Sequence, residues 1–146
     1  MIKDNLNKLI LESMKTGDKV RVEALRAIKA AILNFETAKN AKPLDEIAEI
    51  NIVRKLVEQR EDSAKTYKEA NRLDLSEEEL QQAKVLKEFL PKPVTEEEIY
   101  NTFNELLESG IKPEKKNLGN FIKGIKEKLP LADGKLVSQI VMKNIV

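Results

Sequence analysis

Lysine is the residue type that could carry function in this sequence, and it is concentrated in the last third of the chain. Residues 112–146 contain eight Lys against three acidic residues, a net charge of +5, whereas the whole chain has a net charge of +1. Ammonium groups gathered on one surface can bind phosphate. The candidates for such a surface are Lys115, Lys116, Lys123, Lys126 and Lys135. The alternative is an ordinary solvated face, because Lys is also the usual outward residue of an amphipathic helix.

Aromatic side chains make up only 4% of the residues. Bases stack on aromatic rings, so a nucleic acid bound here would be contacted through its backbone and shape and not read by sequence.

Two residue types that dominate enzyme chemistry are missing, because the chain contains no His and no Cys. A Ser-His-Asp triad, a thiol nucleophile, a disulfide and the usual zinc sites are therefore excluded. We expect no catalytic residue, no cofactor and no metal site in this chain.

Two motifs that resemble ligand sites have simpler explanations. The spacing of Gly119 and Gly124 is superficially that of a phosphate-binding loop, but Ile125 and Lys126 follow where the motif requires Lys and then Ser or Thr. The sequence around these glycines also has a helical apolar stripe. The glutamates of 77–79 and 96–98 are expected in the first turns of capped helices, where carboxylates favour the helix dipole.

The elements that position these residues are expected to be helices throughout. Apolar residues recur at helical spacing in seven segments, and only five Gly and five Pro interrupt them. The sequence predicts an all-α fold of two helical bundles: an N-terminal bundle of about four helices over 1–91 and a C-terminal three-helix bundle over 94–146. The stiff segment 91–93, Pro-Lys-Pro, is the expected boundary between them.

Helix starts are indicated by capping residues. Asp18 and Asp133 are expected N-caps, and Ser76 and Thr95 each precede a run of three glutamates, the pattern of a capping box. In the fourth helix Leu80 is expected to face inward.

A third helix is expected to begin near Asp45, with Ile47, Ile50, Val53, Leu56 and Val57 as its buried stripe. If it continues to residue 71 it has about 27 residues and a length of roughly 40 Å. Apolar residues thin out after residue 57, so its second half should be only lightly covered by neighbours.

The N-terminal segment alternates apolar and polar residues and does not have the apolar run of a signal peptide, and no stretch is long enough to span a bilayer. A small secreted domain often carries disulfides, and this chain has no Cys. A cytoplasmic location is therefore expected.

Short motifs spread over nearly the whole chain, in consistent order and spacing, resemble the GatB/YqeY family. They are Arg21-Val22-Glu23-Ala24-Leu25-Arg26, Lys29-Ala30-Ala31-Ile32, Asn34, Gln59-Arg60-Glu61-Asp62-Ser63, Tyr67, Ala70, Arg72-Leu73-Asp74-Leu75, Phe89-Leu90-Pro91, Glu96-Glu97-Glu98-Ile99, Leu118-Gly119 and Asp133-Gly134-Lys135-Leu136-Val137-Ser138. The sequence departs from the family at Asn120, where Lys is frequent, and at Pro130-Leu131, which replaces a pair similar to Gly-Arg.

The resemblance implies kinship with the tail of the GatB subunit of tRNA-dependent amidotransferases. In those enzymes the tail contacts tRNA, while the kinase and amidase sites lie in other domains. It therefore implies a stand-alone, non-catalytic accessory module that binds tRNA or a complex handling aminoacyl-tRNA, to which a label of carbon–nitrogen ligase with glutamine as amido donor could be attached by kinship. The alternative is a protein–protein adaptor with no RNA contact, whose partner is an amidotransferase subunit or another protein.

The motif residues are either structural or partner-facing. They are Arg21, Arg26, Arg60, Asp62, Ser63, Arg72, Asp74, Gly119, Asp133 and Gly134. In the structural interpretation, the charged residues of 60–74 hold the end of the third helix against the next segment, with Asp74 or Ser76 as the cap of the fourth helix. Because Asp133 is the expected N-cap of the last helix, Lys135 is expected at the start of that helix, where N–H groups attract phosphate.

Overall fold

The computed structural model describes all residues from 1 to 146 and contains seven α-helices and no β-strand. The helices are α1 (Ile2–Thr16), α2 (Lys19–Thr37), α3 (Glu46–Glu69), α4 (Leu73–Lys87), α5 (Glu96–Glu108), α6 (Leu118–Lys128) and α7 (Gly134–Asn144), with a 3-10 turn at Lys115–Asn117. The all-α prediction is confirmed. No helix is both long enough and apolar enough to cross a membrane.

Local capping signals determine most of the helix boundaries. Gly17 ends α1 with φ 74, a backbone conformation that glycine adopts without steric cost. Asp18 and Asp45 start α2 and α3 because their carboxylates accept the N–H groups of Arg21 and Ala48. The caps expected at Thr95 and Asp133 are likewise confirmed, since their side chains accept the N–H groups of Glu98 and Lys135.

The helices divide into two compact units, Met1–Pro91 and Lys92–Val146. Each unit has its own core of apolar side chains. The first core is formed by Leu6, Ile10, Ala24, Leu25, Ile28, Ile32, Val53, Val57 and Leu86. The second is formed by Ile99, Phe103, Leu106, Phe121, Ile125, Ala132, Val137 and Val141. Whether the two units fold as independent domains stays a prediction.

The start of the fourth helix was predicted incorrectly. Helix α4 begins at Leu73, and Ser76 is buried inside it, where its hydroxyl donates to the carbonyl of Ala64 in α3 at 2.8 Å. The cause is the tight turn before it: Asn71 has φ 58 and the Arg72 N–H donates to the carbonyl of Tyr67, so the chain reverses at once. The serine then faces α3 and cannot cap.

This reversal also changes the surroundings of three glutamates, of Leu80 and of the second half of α3. The glutamates of 77–79 lie beyond the first turn of α4, and Leu80 is 46% exposed instead of facing inward. Helix α4 runs back along the second half of α3, so that half is covered on one side, although Ala64 is its only fully buried residue.

The expected stripe of α3 was wrong at its first position. The helix has 24 residues, about 36 Å, and Ile47 is 41% exposed. The buried position in this turn is taken by Glu49, which is 1% exposed. Its two carboxylate oxygens accept the N–H groups of Ile2 and Lys3 at 3.0 and 2.8 Å, so a side chain of α3 caps the start of α1.

The cap supplied by Glu49 should be important for stability. We expect Glu49→Gln to lower the free energy of unfolding by about 1–3 kcal/mol, because an amide has one acceptor oxygen and its NH2 group would face a backbone donor. Urea unfolding measures the loss. The control is Glu12→Gln on the exposed surface of α1, where a change below about 0.5 kcal/mol is expected; equal effects of the two changes would contradict a capping role.

The division into two units predicts where a protease cuts first. Residues 91–93 are exposed and lie outside any helix, so brief digestion with subtilisin should release two resistant fragments that meet near residues 91–95. A cut in the other exposed segment, residues 39–43, would nick the first unit without separating the two. Mass spectrometry identifies the fragments, and simultaneous degradation of both units would contradict independent folding.

Candidate nucleic-acid interface

The candidate lysines lie in or near α6 and α7, and all are exposed. Lys115 and Lys116 lie in the 3-10 turn, Lys123 and Lys126 in α6 and Lys135 in the first turn of α7. Exposure of these side chains is what a phosphate-binding surface requires, and it is equally what a solvated face requires.

Packing in the second unit fixes the orientation of α6. Phe121 and Ile125 are fully buried, and the ring of Phe121 lies 4.6 Å from that of Phe103 on α5. At Gly124 the side facing α5 is closed, because a Cβ there would lie 3.0 Å from Cδ1 of Leu106. A side chain at 124 would therefore require Leu106 to shift.

This orientation sorts the lysines of α6 into two sides. Lys123 and Lys126 are three residues apart and therefore neighbours on the helix surface, away from the side that Gly124 presents to α5. The ammonium of Lys126 reaches the start of α7, 3.4 Å from where a Cβ of Gly134 would be. Lys128 lies on the α5 side, where it pairs with Glu105 at 3.1 Å.

One candidate lysine has an acidic neighbour. Lys116 pairs with Glu114 at 3.1 Å, and its side chain is 76% exposed. Exposed pairs of this kind contribute at most about 1 kcal/mol, so a phosphate could replace the carboxylate at small cost.

The start of α7 already holds a carboxylate. Asp133 accepts the N–H of Lys135 at 3.1 Å, which partly satisfies the donors that would attract a phosphate. The ammonium of Lys126 also lies beside this point. The segment from Gly119 to Gly124 is helical, so it forms no phosphate-binding loop.

The motif residues of the first unit are mostly engaged in contacts between helices. Arg60 on α3 donates to Gln82 on α4 at 2.9 Å, and Gln82 donates to Glu23 on α2 at 2.8 Å. Arg60 also lies 3.7 Å from Glu79, whose Oε2 is buried and accepts no hydrogen bond, so this ion contact is its compensation. Arg60 therefore joins α3 to α4, and Gln82 extends this connection to α2.

The two arginines of α2 differ in their partners. Arg21 pairs with Glu88 at 2.6 Å, just after α4. Arg26 is exposed, and its guanidinium contacts only the sulfur of Met14, at 3.8 Å. In α3, Asp62 is exposed and Ser63 is half-buried beside Ala64.

The turn between α3 and α4 fixes the remaining motif pair. The side chain of Arg72 lies 3.6 Å from Asp74 and does not bond the end of α3, which is instead closed by the Arg72 backbone N–H. The N–H of Leu75 bonds to the carboxylate of Asp74 and holds its pKa below the ordinary value, with a smaller contribution from Arg72. Asp74 therefore lies inside the first turn of α4 and not at its cap.

Sequence reasoning missed Gln82 and Glu49. Gln82 lies outside every recognised motif, and its role depends on the reversal at residues 70–72. The only signal for Glu49 was an acidic residue where the apolar stripe of α3 should continue.

Comparison with known proteins gives one family and several relatives. The model of the Yqey-like protein family matches residues 3–145. The chain is 32% identical over 111 residues to the mitochondrial "altered inheritance of mitochondria protein 41" of Lachancea thermotolerans, covering 72% of this chain and 59% of that protein. The protein of the same name in Candida glabrata is 34% identical over 99 residues, covering 66% and 54%. An uncharacterised protein of Schizosaccharomyces pombe is 30% identical over 88 residues, covering 59% and 69%. The chain thus spans less than two thirds of the length of the first two relatives.

The lowered pKa of Asp74 predicts a specific response to Arg72→Gln. The variant should raise the pKa of Asp74 only part of the way to its ordinary value, because the larger cause, the N–H of Leu75, remains. Titration of the carboxyl carbon by NMR measures this. Since the folded-state pKa is lowered, the contribution of Asp74 to stability is present above its unfolded-state pKa and is lost as pH falls through the folded value. A return to the full ordinary value in the variant would show that Arg72 is the main cause.

Proposed function

Since this chain belongs to the Yqey-like protein family, we propose that it is a non-catalytic accessory module that binds tRNA through the basic surface of its second unit. We call this surface the α6 face and define it by Lys116, Lys123 and Lys126. The observation that carries the proposal is the orientation of α6: its apolar side is fixed against α5, so Lys123 and Lys126 point outward as neighbours.

The chemistry of the α6 face favours contact with the phosphate backbone. Its three lysines carry ammonium groups, which act as point charges without the planar geometry that reads base edges. A folded RNA places phosphates of several strands close together, and so offers such a face more anionic partners than a short peptide would. Lys126 and Lys135 beside the start of α7 extend the same positive region.

The expected affinity is modest and strongly dependent on salt. Three phosphate contacts at about −0.7 to −0.9 each give a slope of roughly −2 to −3 in log affinity against log salt. Such binding is suited to a module that assists other proteins acting on tRNA. The carbon–nitrogen ligase label enters this proposal only through kinship with the amidotransferase subunit.

The cytoplasmic location belongs to the proposal as well. It rests on the absence of Cys, because small secreted domains often carry disulfides. Two of the relatives carry "mitochondrial" in their names, so imaging of the tagged protein in its own cells is the direct measurement.

Removing two charges from the α6 face should weaken tRNA binding. We expect Lys116→Gln with Lys123→Gln to lower affinity at low salt and to reduce the magnitude of the salt slope by about 1.4 to 1.8, with an unchanged unfolding temperature because both side chains are exposed. The matched control is Lys65→Gln with Lys68→Gln, which removes two exposed charges from α3 in the first unit.

Binding is measured by fluorescence anisotropy of labelled tRNA over a range of salt concentrations. If the α6 variant and the α3 control bind equally well, the lysines of α6 are an ordinary solvated face. If the parent protein binds no tRNA at low salt, the proposed function is wrong.

A further inference from the structure

The first unit contains an apolar groove between α2 and α3 that has no part in the proposed tRNA binding. We call it the α2–α3 groove; its volume is ≈ 570 Å³. It is lined by Ala27, Ala30, Ala31, Asn34, Phe35, Ile52, Lys55, Leu56 and Gln59.

Helix α2 has a wider apolar surface than its neighbours in the chain cover. Its buried residues, among them Leu25, Ile28 and Ile32, pack in the core of the first unit. Ala27, Ala31 and Phe35 form a second row at intervals of four residues, and they are only half-buried. On α3, Ile52 and Leu56 repeat at the same interval and are also half-buried. Both helices therefore turn an apolar row toward the groove.

Hydrogen bonds join the two helices near one end of the groove. Just beyond Ala27 and Gln59, the side chain of Gln82 joins Glu23 of α2 to Arg60 of α3. This bridge fixes the spacing of α2 and α3 in the absence of any partner. A preformed groove costs less conformational entropy on binding than one that must open.

The groove is unusually poor in charge for this protein. Of its nine lining residues only Lys55 is charged, whereas 35% of the residues in the whole chain are charged. Depletion of charge at the centre of a patch is typical of protein–protein interfaces. Lys55 is exposed and pairs with no carboxylate of its own chain.

We propose that the α2–α3 groove binds an amphipathic α-helix of a partner protein, with an acidic residue of that helix paired to Lys55. The row from Ala27 to Phe35 spans about 12 Å, a little over two helical turns. Alanines on the groove floor allow close approach of a helix backbone. The amides of Asn34 and Gln59 lie at the rim and can bond polar groups that flank the apolar stripe of the partner.

Charge complementarity selects this occupant. One cation in an apolar groove provides too few positive groups for RNA, whose binding needs several phosphate contacts. A second copy of this chain would have to insert a convex apolar helix into the groove. The experiment below distinguishes such a dimer from binding of a partner helix.

The test is a selection of helical peptides from a display library against the full-length protein. Selected peptides should carry apolar residues at i, i+3 or i+4 and i+7, with Asp or Glu beside that stripe. Their binding should shift the NMR signals of Ala27, Ala31, Ile52 and Leu56. Ala31→Arg should weaken the best peptide by at least about tenfold, a change of about 1.4 kcal/mol. The control Leu33→Arg, at a 58% exposed position of the same helix outside the groove, should leave affinity unchanged.

A second variant keeps the test independent of any loss of folding in Ala31→Arg. Lys55→Glu should weaken the binding of acidic peptides and strengthen the binding of variant peptides in which Lys replaces the acidic residue. Peptides that bind another surface or that are unaffected by both variants would overturn the proposal. A dimer detected by sedimentation and abolished by Ala31→Arg would also overturn it, because a second copy of the chain would then be the occupant. NMR shifts of the groove residues on addition of tRNA would overturn it as well.

Discussion

The tight turn at residues 70–72 is the constraint on which the first unit depends. Asn71 takes the left-handed conformation and the Arg72 N–H closes the end of α3, so α4 must run back along the helix that precedes it. Asn accepts this conformation more readily than most residues because its short polar side chain can bond locally. Once the reversal is made, Ser76 meets the carbonyl of Ala64, and Gln82 is brought beside Arg60.

The same reversal shapes the α2–α3 groove. Gln82 can join α2 to α3 only because α4 lies alongside both, and its hydrogen bonds hold the two helices at a fixed spacing at one end of the groove. The resemblance to a family identifies Arg60 as a motif residue, but the physical role of that arginine is to donate a hydrogen bond to Gln82. The match of Arg60 to the motif is therefore explained by packing as readily as by contact with a partner.

In the second unit the close packing of α6 against α5 is the corresponding constraint. Gly124 allows α6 to lie against Leu106, and the rings of Phe103 and Phe121 complete that contact. The orientation of α6 is thereby fixed, and its lysines are divided between the α5 side, where Glu105 pairs with Lys128, and the open side that forms the α6 face. The two proposed binding surfaces thus differ in chemistry: the α6 face is charged and suited to phosphate, whereas the α2–α3 groove is apolar and suited to a helix.

The sequence by itself determined the helices and most of their ends, because helical periodicity and N-caps depend on residues within a few positions of one another. Asp18, Asp45, Thr95 and Asp133 could be recognised for this reason, as could the position of Gly17 at the end of α1. The candidate lysines also followed from the sequence, because positive charge is concentrated in residues 112–146 and Lys is the usual outward residue of an amphipathic helix.

Only the tertiary structure determined which residues of different helices contact one another. Ser76 has the sequence pattern of a cap but lies inside a helix, because the turn before it is closed by backbone bonds that no periodicity reveals. Glu49 is buried because the start of α1, 46 residues or more away in sequence, supplies two N–H groups to it. Lys126 lies beside the start of α7 because α6 and α7 pack against each other. Each of these contacts joins residues that are remote in sequence or belong to different helices, and so it arises from packing and not from any local pattern.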